Sequence, residues 1–241
     1  MIGLVTGANR GLGYELVKMG LERGYDMIAC WLGSPEDDSD LLELKDQYKQ
    51  KLMIIQMDVT KEDEVDEAAR KFSALYDQLD FIVNNAGVLF ESKFDTRDQI
   101  RDLDVKMLRK TIDVNTVGPA IVLKAFIPFI YKSQDPCIIN ITSEAGHLGN
   151  AGYTYLAYGV SKHAANMYTQ KIRNYLVNKY GKGRVRVFMM HPGRMQTVMG
   201  AENAQISPVE SAEGIYRVID KTLNPDLDIP FINYKGEQMP Y

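Results

Sequence analysis

Cysteine and histidine are scarce in this chain. The two cysteines, Cys30 and Cys137, stand in apolar, strand-like runs, and the three histidines are scattered. Thiols so placed are expected to be reduced and buried, which excludes a disulfide-stapled scaffold and suits a cytoplasmic location. No Cys/His cluster with ligand spacing exists, so no metal site is expected. No Gly-x-Ser-x-Gly elbow surrounds Ser143, so nearby His147 reads as a loop residue and not as part of a hydrolase. Basic excess is missing too. A net charge of -4 and a pI near 5.5 argue against nucleic acid or an anionic membrane as partner. The longest apolar stretch, Pro119 to Tyr131, is interrupted by Lys124 and Pro128 and is too short to span a bilayer. No charged-then-apolar leader precedes the first motif, so no secretory signal is expected. Repeats, low-complexity tracts and Pro/Ser-rich linkers are absent, which predicts one domain over residues 1–241.

What remains is a chain of 241 residues, 45% hydrophobic and 25% charged, able to bury a full core. Short apolar runs alternate with helical patterns, which reads as βα units around a parallel sheet, an α/β fold. The expected strands are Ile2–Val5, Met27–Trp31, Met53–Met57, Phe81–Val83, Cys137–Ile141, Val185–Met190 and Phe231–Ile232. Helices are expected over Gly11–Glu22, Leu41–Gln50, Glu62–Leu75, Val105–Thr111, Val114–Tyr131, Tyr158–Tyr180 and Val209–Thr222. The run Phe72, Leu75, Tyr76, Leu79 has the spacing of a helix face set against a sheet. Val88–Asp104 reads as irregular, as does Arg194–Ser207, which follows a strand end and is the candidate substrate lid.

A glycine-rich turn opens the chain: Thr6-Gly7-Ala8-Asn9-Arg10-Gly11-Leu12-Gly13. It follows an apolar strand and starts a helix, where glycines let the backbone approach a pyrophosphate and free N–H groups meet it. A dinucleotide is the expected cofactor. An acid usually ends the second strand of an NAD site. Here that stretch reads Ala29-Cys30-Trp31-Leu32-Gly33-Ser34, with no acid before Glu36. Arg10 could pair with a 2′-phosphate, which favours NADP over NAD, or it could simply cap or solvate the loop. Asp58 and Val59, ending the third strand, are placed to meet the adenine, although Asp58 could instead cap the helix near Glu62.

Tyr158 and Lys162 stand four apart, on one face of a helix. A cation there is expected to draw the phenol down from a pKa of about 10, making it a proton donor or acceptor. Tyr153 and Tyr155 have no such lysine. Ser143, just past the strand Cys137–Ile141, could hold a substrate oxygen or cap the following turn.

These residues carry a resemblance. The chain resembles the short-chain dehydrogenase/reductases over nearly all its length. Thr6–Gly13 looks like the family's coenzyme turn and Asn84-Asn85-Ala86-Gly87 like its strand-four motif. Asn115 resembles the catalytic-helix asparagine, and Ser143, Tyr158 and Lys162 the active-site serine, tyrosine and lysine. Pro192-Gly193, with Met195 and Thr197, is similar to the late nicotinamide-side motif. The ending Phe231–Tyr241 is similar to the tails of carbonyl-reductase and C-factor-like members. The resemblance implies a single-domain Rossmann fold with a doubly wound, mostly parallel seven-stranded sheet, order 3-2-1-4-5-6-7, and helices on both faces. It implies carbonyl/alcohol interconversion with Tyr158 as acid/base, Lys162 also on the nicotinamide ribose, and Asn115 holding a relay water. A small-molecule substrate and a homodimer or homotetramer are implied too, with Ile127, Phe129, Met167 and Tyr168 read as exposed between subunits or else facing the sheet. The rival reading is a cofactor-binding regulatory protein with little turnover. Ser143 and Tyr158 are slightly farther apart than the family leads one to expect, so the loop through His147 and Tyr153 should bulge.

Overall fold

The computed structural model describes residues 1–34, 39–92, 97–150, 152–195 and 204–241. Seven strands form one sheet: β1 (Ile2–Thr6), β2 (Asp26–Trp31), β3 (Leu52–Gln56), β4 (Phe81–Asn84), β5 (Cys137–Ile141), β6 (Arg186–His191) and β7 (Phe231–Asn233). Their order is β3-β2-β1-β4-β5-β6-β7. Every pairing is parallel, so the sheet is wholly and not mostly parallel. The winding reverses between β1 and β4, and the carboxyl ends of those strands open the crevice where such sheets take ligands.

Seven helices cover the two faces: α1 (Gly11–Glu22), α2 (Ser39–Tyr48), α3 (Glu62–Ser73), α4 (Val105–Ile112), α5 (Gly118–Ile130), α6 (Leu156–Tyr180) and α7 (Pro208–Ile219). Leu12 and Leu16 of α1, Leu41 and Leu44 of α2, and Ile215 and Tyr216 of α7 close one core. Val65 and Phe72 of α3, Val122 and Phe126 of α5, and Leu176 of α6 close the other. Both cysteines are free and buried. Cys30 belongs to the second core and Cys137 to the first, so the sheet separates them.

Two expectations are corrected. The helix expected to run to Leu75 stops at Ser73, and Leu75 turns to solvent at 68% exposure while Phe72, Tyr76 and Leu79 stay with the core. The single helix expected over Val114–Tyr131 begins only at Gly118, after a π-helical turn, Asp113–Val117, that joins it to α4. Of the four residues read as lying between subunits or facing the sheet, Ile127, Phe129 and Tyr168 pack against the second core and Met167 is exposed. Phe129 is drawn inward by Phe72, whose ring centre lies 4.9 Å away. Taken as one run, Val105–Ile130 is the one helix among the described residues long and apolar enough to cross a membrane, and 33% of its most apolar window is buried.

At the far edge the tail folds back on β7. Met239 N–H donates to the Phe231 carbonyl at 2.7 Å, and Asn233 N–H to that of Glu237 at 2.9 Å.

Candidate active site

The glycine turn occupies the carboxyl end of β1. Gly7 and Gly11 have φ of +63° and +55°, values that a Cβ disfavours. A Cβ at Gly13 would lie 2.1 Å from the Gly7 carbonyl oxygen, so the turn closes only on a bare backbone. Arg10 is the N-cap of α1 and offers no side-chain cap, and the first turn of α1 holds no acid. The helix therefore points uncapped N–H groups and its positive dipole end outward. That arrangement fits the pyrophosphate of a dinucleotide. Arg10 itself is exposed. Leu12 is buried in the first core, and Asn9 is partly exposed in the turn.

Asn85 is the clamp of this turn. Its Nδ2 donates to the Thr6 and Gly7 carbonyls at 2.9 and 3.1 Å. Thr6 Oγ1 in return accepts from the N–H groups of Asn85 and Ala86, both at 3.0 Å. Thr6 stands at the head of the expected turn, but its bracing of Asn85 and Ala86 was not read from the sequence. Behind it, Asn84 Nδ2 donates to Asn140 Oδ1, and Asn140 Nδ2 to Thr169 Oγ1, each at 2.8 Å inside the core. Those partners lie 56 and 29 residues apart, beyond any local pattern.

Asp58 and Val59 end the loop beyond β3. Asp58 Oδ1 accepts from the N–H and hydroxyl of Thr60, at 2.9 and 2.7 Å. The carboxylate thus forms a local turn and does not cap the helix at Glu62, whose N-cap is Lys61. Val59 is buried among the second core.

The catalytic candidates converge. Asn115 lies in the π-helical turn, 2% exposed. Its Nδ2 donates to the Val88 carbonyl and to Ser161 Oγ, both at 2.9 Å, and its Oδ1 accepts from Val88 N–H at 2.8 Å. It braces backbone at a helix break, the kind of irregularity often found at functional sites. A Cβ at Gly87 would lie 3.2 Å from Asn115 Oδ1, a tight approach, and 3.7 Å from Lys162 Nζ, so Gly87 stands directly beside both side chains. Lys162, 4% exposed, donates to the Ile141 carbonyl at 2.9 Å, and its Nζ stands 5.6 Å from the centre of the Tyr158 ring. Burial pulls its pKa down to about 8.

Tyr158 departs from expectation. Burial, the largest influence, raises the phenol above its ordinary value; the Ser143 hydrogen bond acts downward and the Glu144 carboxylate upward. Lys162 is not among these influences, so the acidification expected from it is not seen. Ser143 does two things, since its Oγ also accepts from Ala145 N–H at 3.2 Å and caps a short 3₁₀ turn. In the loop between Ser143 and Tyr158, Tyr153 is 87% exposed.

Pro192 and Gly193 follow β6. Gly193 has a φ of +87°, and a Cβ there would meet Ile206 Cδ1 at 2.4 Å. Met195 pairs with Ile206, and the Arg194 carbonyl accepts from Gln205 N–H at 2.8 Å, so the two ends of the candidate lid are held together. Arg194 Nε donates to Glu144 Oε1 at 2.6 Å, tying this segment to the loop that carries Ser143. Thr197 and the middle of the lid, like Glu36, lie outside the described residues.

Residues 2–207 match the family model described as short chain dehydrogenase. The 1-hydroxy-2-glutathionyl-2-methyl-3-butene dehydrogenase of Rhodococcus sp. (strain AD45) is 29% identical, over 97% of this chain and 96% of its own. The C-signal protein of Myxococcus xanthus is 32% identical, over 68% of this chain and 93% of its own. Among solved structures, the NADPH-bound carbonyl reductase from chicken fatty liver superimposes with a TM-score of 0.83 at 26% identity, covering 99% of this chain and 98% of its own. The fold, the glycine turn and these matches agree: the chain belongs to the short-chain dehydrogenase family and is an oxidoreductase acting on CH–OH or carbonyl groups with a nicotinamide cofactor.

Proposed function

We propose that the protein is an NADP(H)-dependent reductase of carbonyl compounds, with Tyr158 as proton donor. The observation that carries this is the meeting of Tyr158, Lys162 and Ser143 beside Gly87, at the carboxyl edge of β4 and β5. The nicotinamide supplies the hydride to the carbonyl carbon. Tyr158 gives its phenolic proton to the substrate oxygen, while Ser143 holds that oxygen by hydrogen bond and steadies its growing charge. Burial holds the phenol above its ordinary value, so it carries the proton that carbonyl reduction consumes. Lys162 donates to the nicotinamide ribose and supplies positive charge near the phenol, and Asn115 holds the water that returns a proton toward it. Gly7, Asn9, Gly11, Leu12 and Gly13 form the pyrophosphate cradle; Asp58 and Val59 border the adenine; Asn85, Ala86 and Gly87 floor the nicotinamide half, and Pro192, Gly193, Met195 and Thr197 wall it.

NADP over NAD rests on Arg10, exposed and with no side-chain hydrogen bond among the described residues, and on the lack of acid at the end of β2. Residues 194–207 act as the lid. The chain works as one domain and as a homodimer or homotetramer in the cytoplasm.

Tyr158→Phe tests this reading. NADPH oxidation against a panel of ketones, aldehydes and quinones should fall by about 10²–10⁴-fold, the worth of a positioned acid, with NADPH affinity retained. Turnover kept in that variant refutes the assignment. A wild-type protein that binds NADPH tightly but turns over nothing would favour a regulatory role.

A further inference from the structure

Glu91 lies four residues past Gly87, in the segment whose folding the sequence leaves unread. Its Oε1 accepts from Ala157 N–H and its Oε2 from Tyr158 N–H, each at 2.8 Å. These are consecutive amides in the first turn of α6. The helix needs this outside help. Tyr155, its N-cap, has φ 58° and ψ 49°, offers no side-chain cap, and no acid stands in the first turn. An ordinary N-cap has extended backbone, which lets its own side chain reach the free amides. A left-handed tyrosine is strained and persists only where its surroundings hold it.

The carboxylate supplies what Tyr155 cannot. It makes two charge-assisted hydrogen bonds at the positive end of the helix dipole. The carbonyl side of Tyr158 is held as well: Ser161 Oγ donates to it at 2.7 Å and accepts from Asn115 Nδ2 at 2.9 Å. Asn115 in turn grips Val88 through both its N–H and its carbonyl. Residues 88–91 are therefore stitched at one end to the helix break and at the other to the phenol's own backbone. The strand that leaves the cofactor's floor and the helix that carries the acid are fixed to each other.

We propose that Glu91 is a positioning residue for the reaction: it sets the first turn of α6 so that the Tyr158 phenol stands against Ser143 and Lys162. The proposal rests on the reading of Tyr158 as proton donor. It touches no reacting atom, so its loss should appear in turnover and not in cofactor binding.

The experiment compares Glu91→Ala, Glu91→Gln and Tyr158→Phe with the wild-type protein. It reads kcat at saturating NADPH, NADPH affinity by the fluorescence of the nicotinamide, and thermal unfolding. Glu91→Ala should lower kcat about 10- to 100-fold, as a small misplacement of a reacting group does, with NADPH affinity unchanged. Glu91→Gln, which keeps one acceptor, should lose less. Added propionate should restore part of the kcat of Glu91→Ala, because its carboxylate can re-enter the gap, whereas chloride should not. Wild-type kcat in Glu91→Ala, or a kcat loss matched by an equal loss of NADPH affinity, overturns the proposal. If the alanine variant does not fold, the same split read on Glu91→Gln decides the matter. Turnover retained in Tyr158→Phe would sink the underlying reading instead. A dead Tyr158→Phe beside Glu91 variants of unchanged kcat would sink only this proposal.

Discussion

Lys162 shows what burial does to a single charge. Its ammonium has lost most of its water, keeps one backbone carbonyl, and titrates at about 8 instead of 10.5. The folded state therefore binds fewer protons than the unfolded one between pH 8 and 10.5. The cost of burying the ammonium is felt in full below about pH 8 and relieved as pH rises through that window. Function should run the other way. The kcat/KM for NADPH, which reports the free enzyme, should be flat below about pH 8 and fall above it as Lys162 loses its proton. A pH profile of wild-type and Lys162→Arg checks this, since arginine stays charged and should remove that limb. Tyr158, raised by burial, adds no loss of its proton near neutrality. Arg10 supports a second residue-scale prediction. Replacing it with Ala should raise KM for NADPH by about 10-fold or more, the worth of a charge-assisted hydrogen bond, and leave KM for NADH nearly unchanged. Steady-state kinetics with both cofactors measures that difference, and equal effects would remove Arg10 from the 2′-phosphate.

At the scale of elements, what was legible was what is local. The glycine turn, Asn84–Gly87 and the Tyr158/Lys162 pair each sit within a few residues, and their spacing alone sets their backbone geometry or shared helix face. The strands and α-helices described follow from periodicity, with ends shifted by a residue or two except at the start of α5 and the end of α7. Leu75 misled because period alone does not stop a helix; α3 ended two residues earlier than the apolar run. A break between Thr111 and Val114 was legible, but its π-helical extent to Val117 was not, because Asn115 is held by Val88 and Ser161 and not by its neighbours. Glu91 reaches across 66 residues and Asn84 across 56. Such pairs exist only once the sheet has brought distant segments together. The lowered expectation for Tyr158 failed for a related reason: desolvation depends on what packs over a group, which a spacing of four does not reveal.

On the whole molecule, some of the apolar residues left uncovered lie on the helices that flank the site. Val105, Val117, Val160 and Met167 are between 42% and 53% exposed, on α4, α6 and the turn after α4. The homodimer or homotetramer proposed above would cover them if two copies paired along this side. Light scattering after size exclusion should give a dimer or tetramer, and Met167→Glu with Val160→Glu should shift it toward monomer. A wild-type protein that elutes as a monomer at micromolar concentration would rule this out.

The returning tail at β7 bears on how that edge of the sheet is protected. A parallel sheet has two open flanks, each a row of unsatisfied donors and acceptors that another chain can copy onto itself. The backbone between Asn233 and Met239 occupies that row on the β7 flank with its own amides and carbonyls. Shortening the chain there would strip a guard from the edge and invite strand-to-strand clumping, even though no residue near the reaction had been touched.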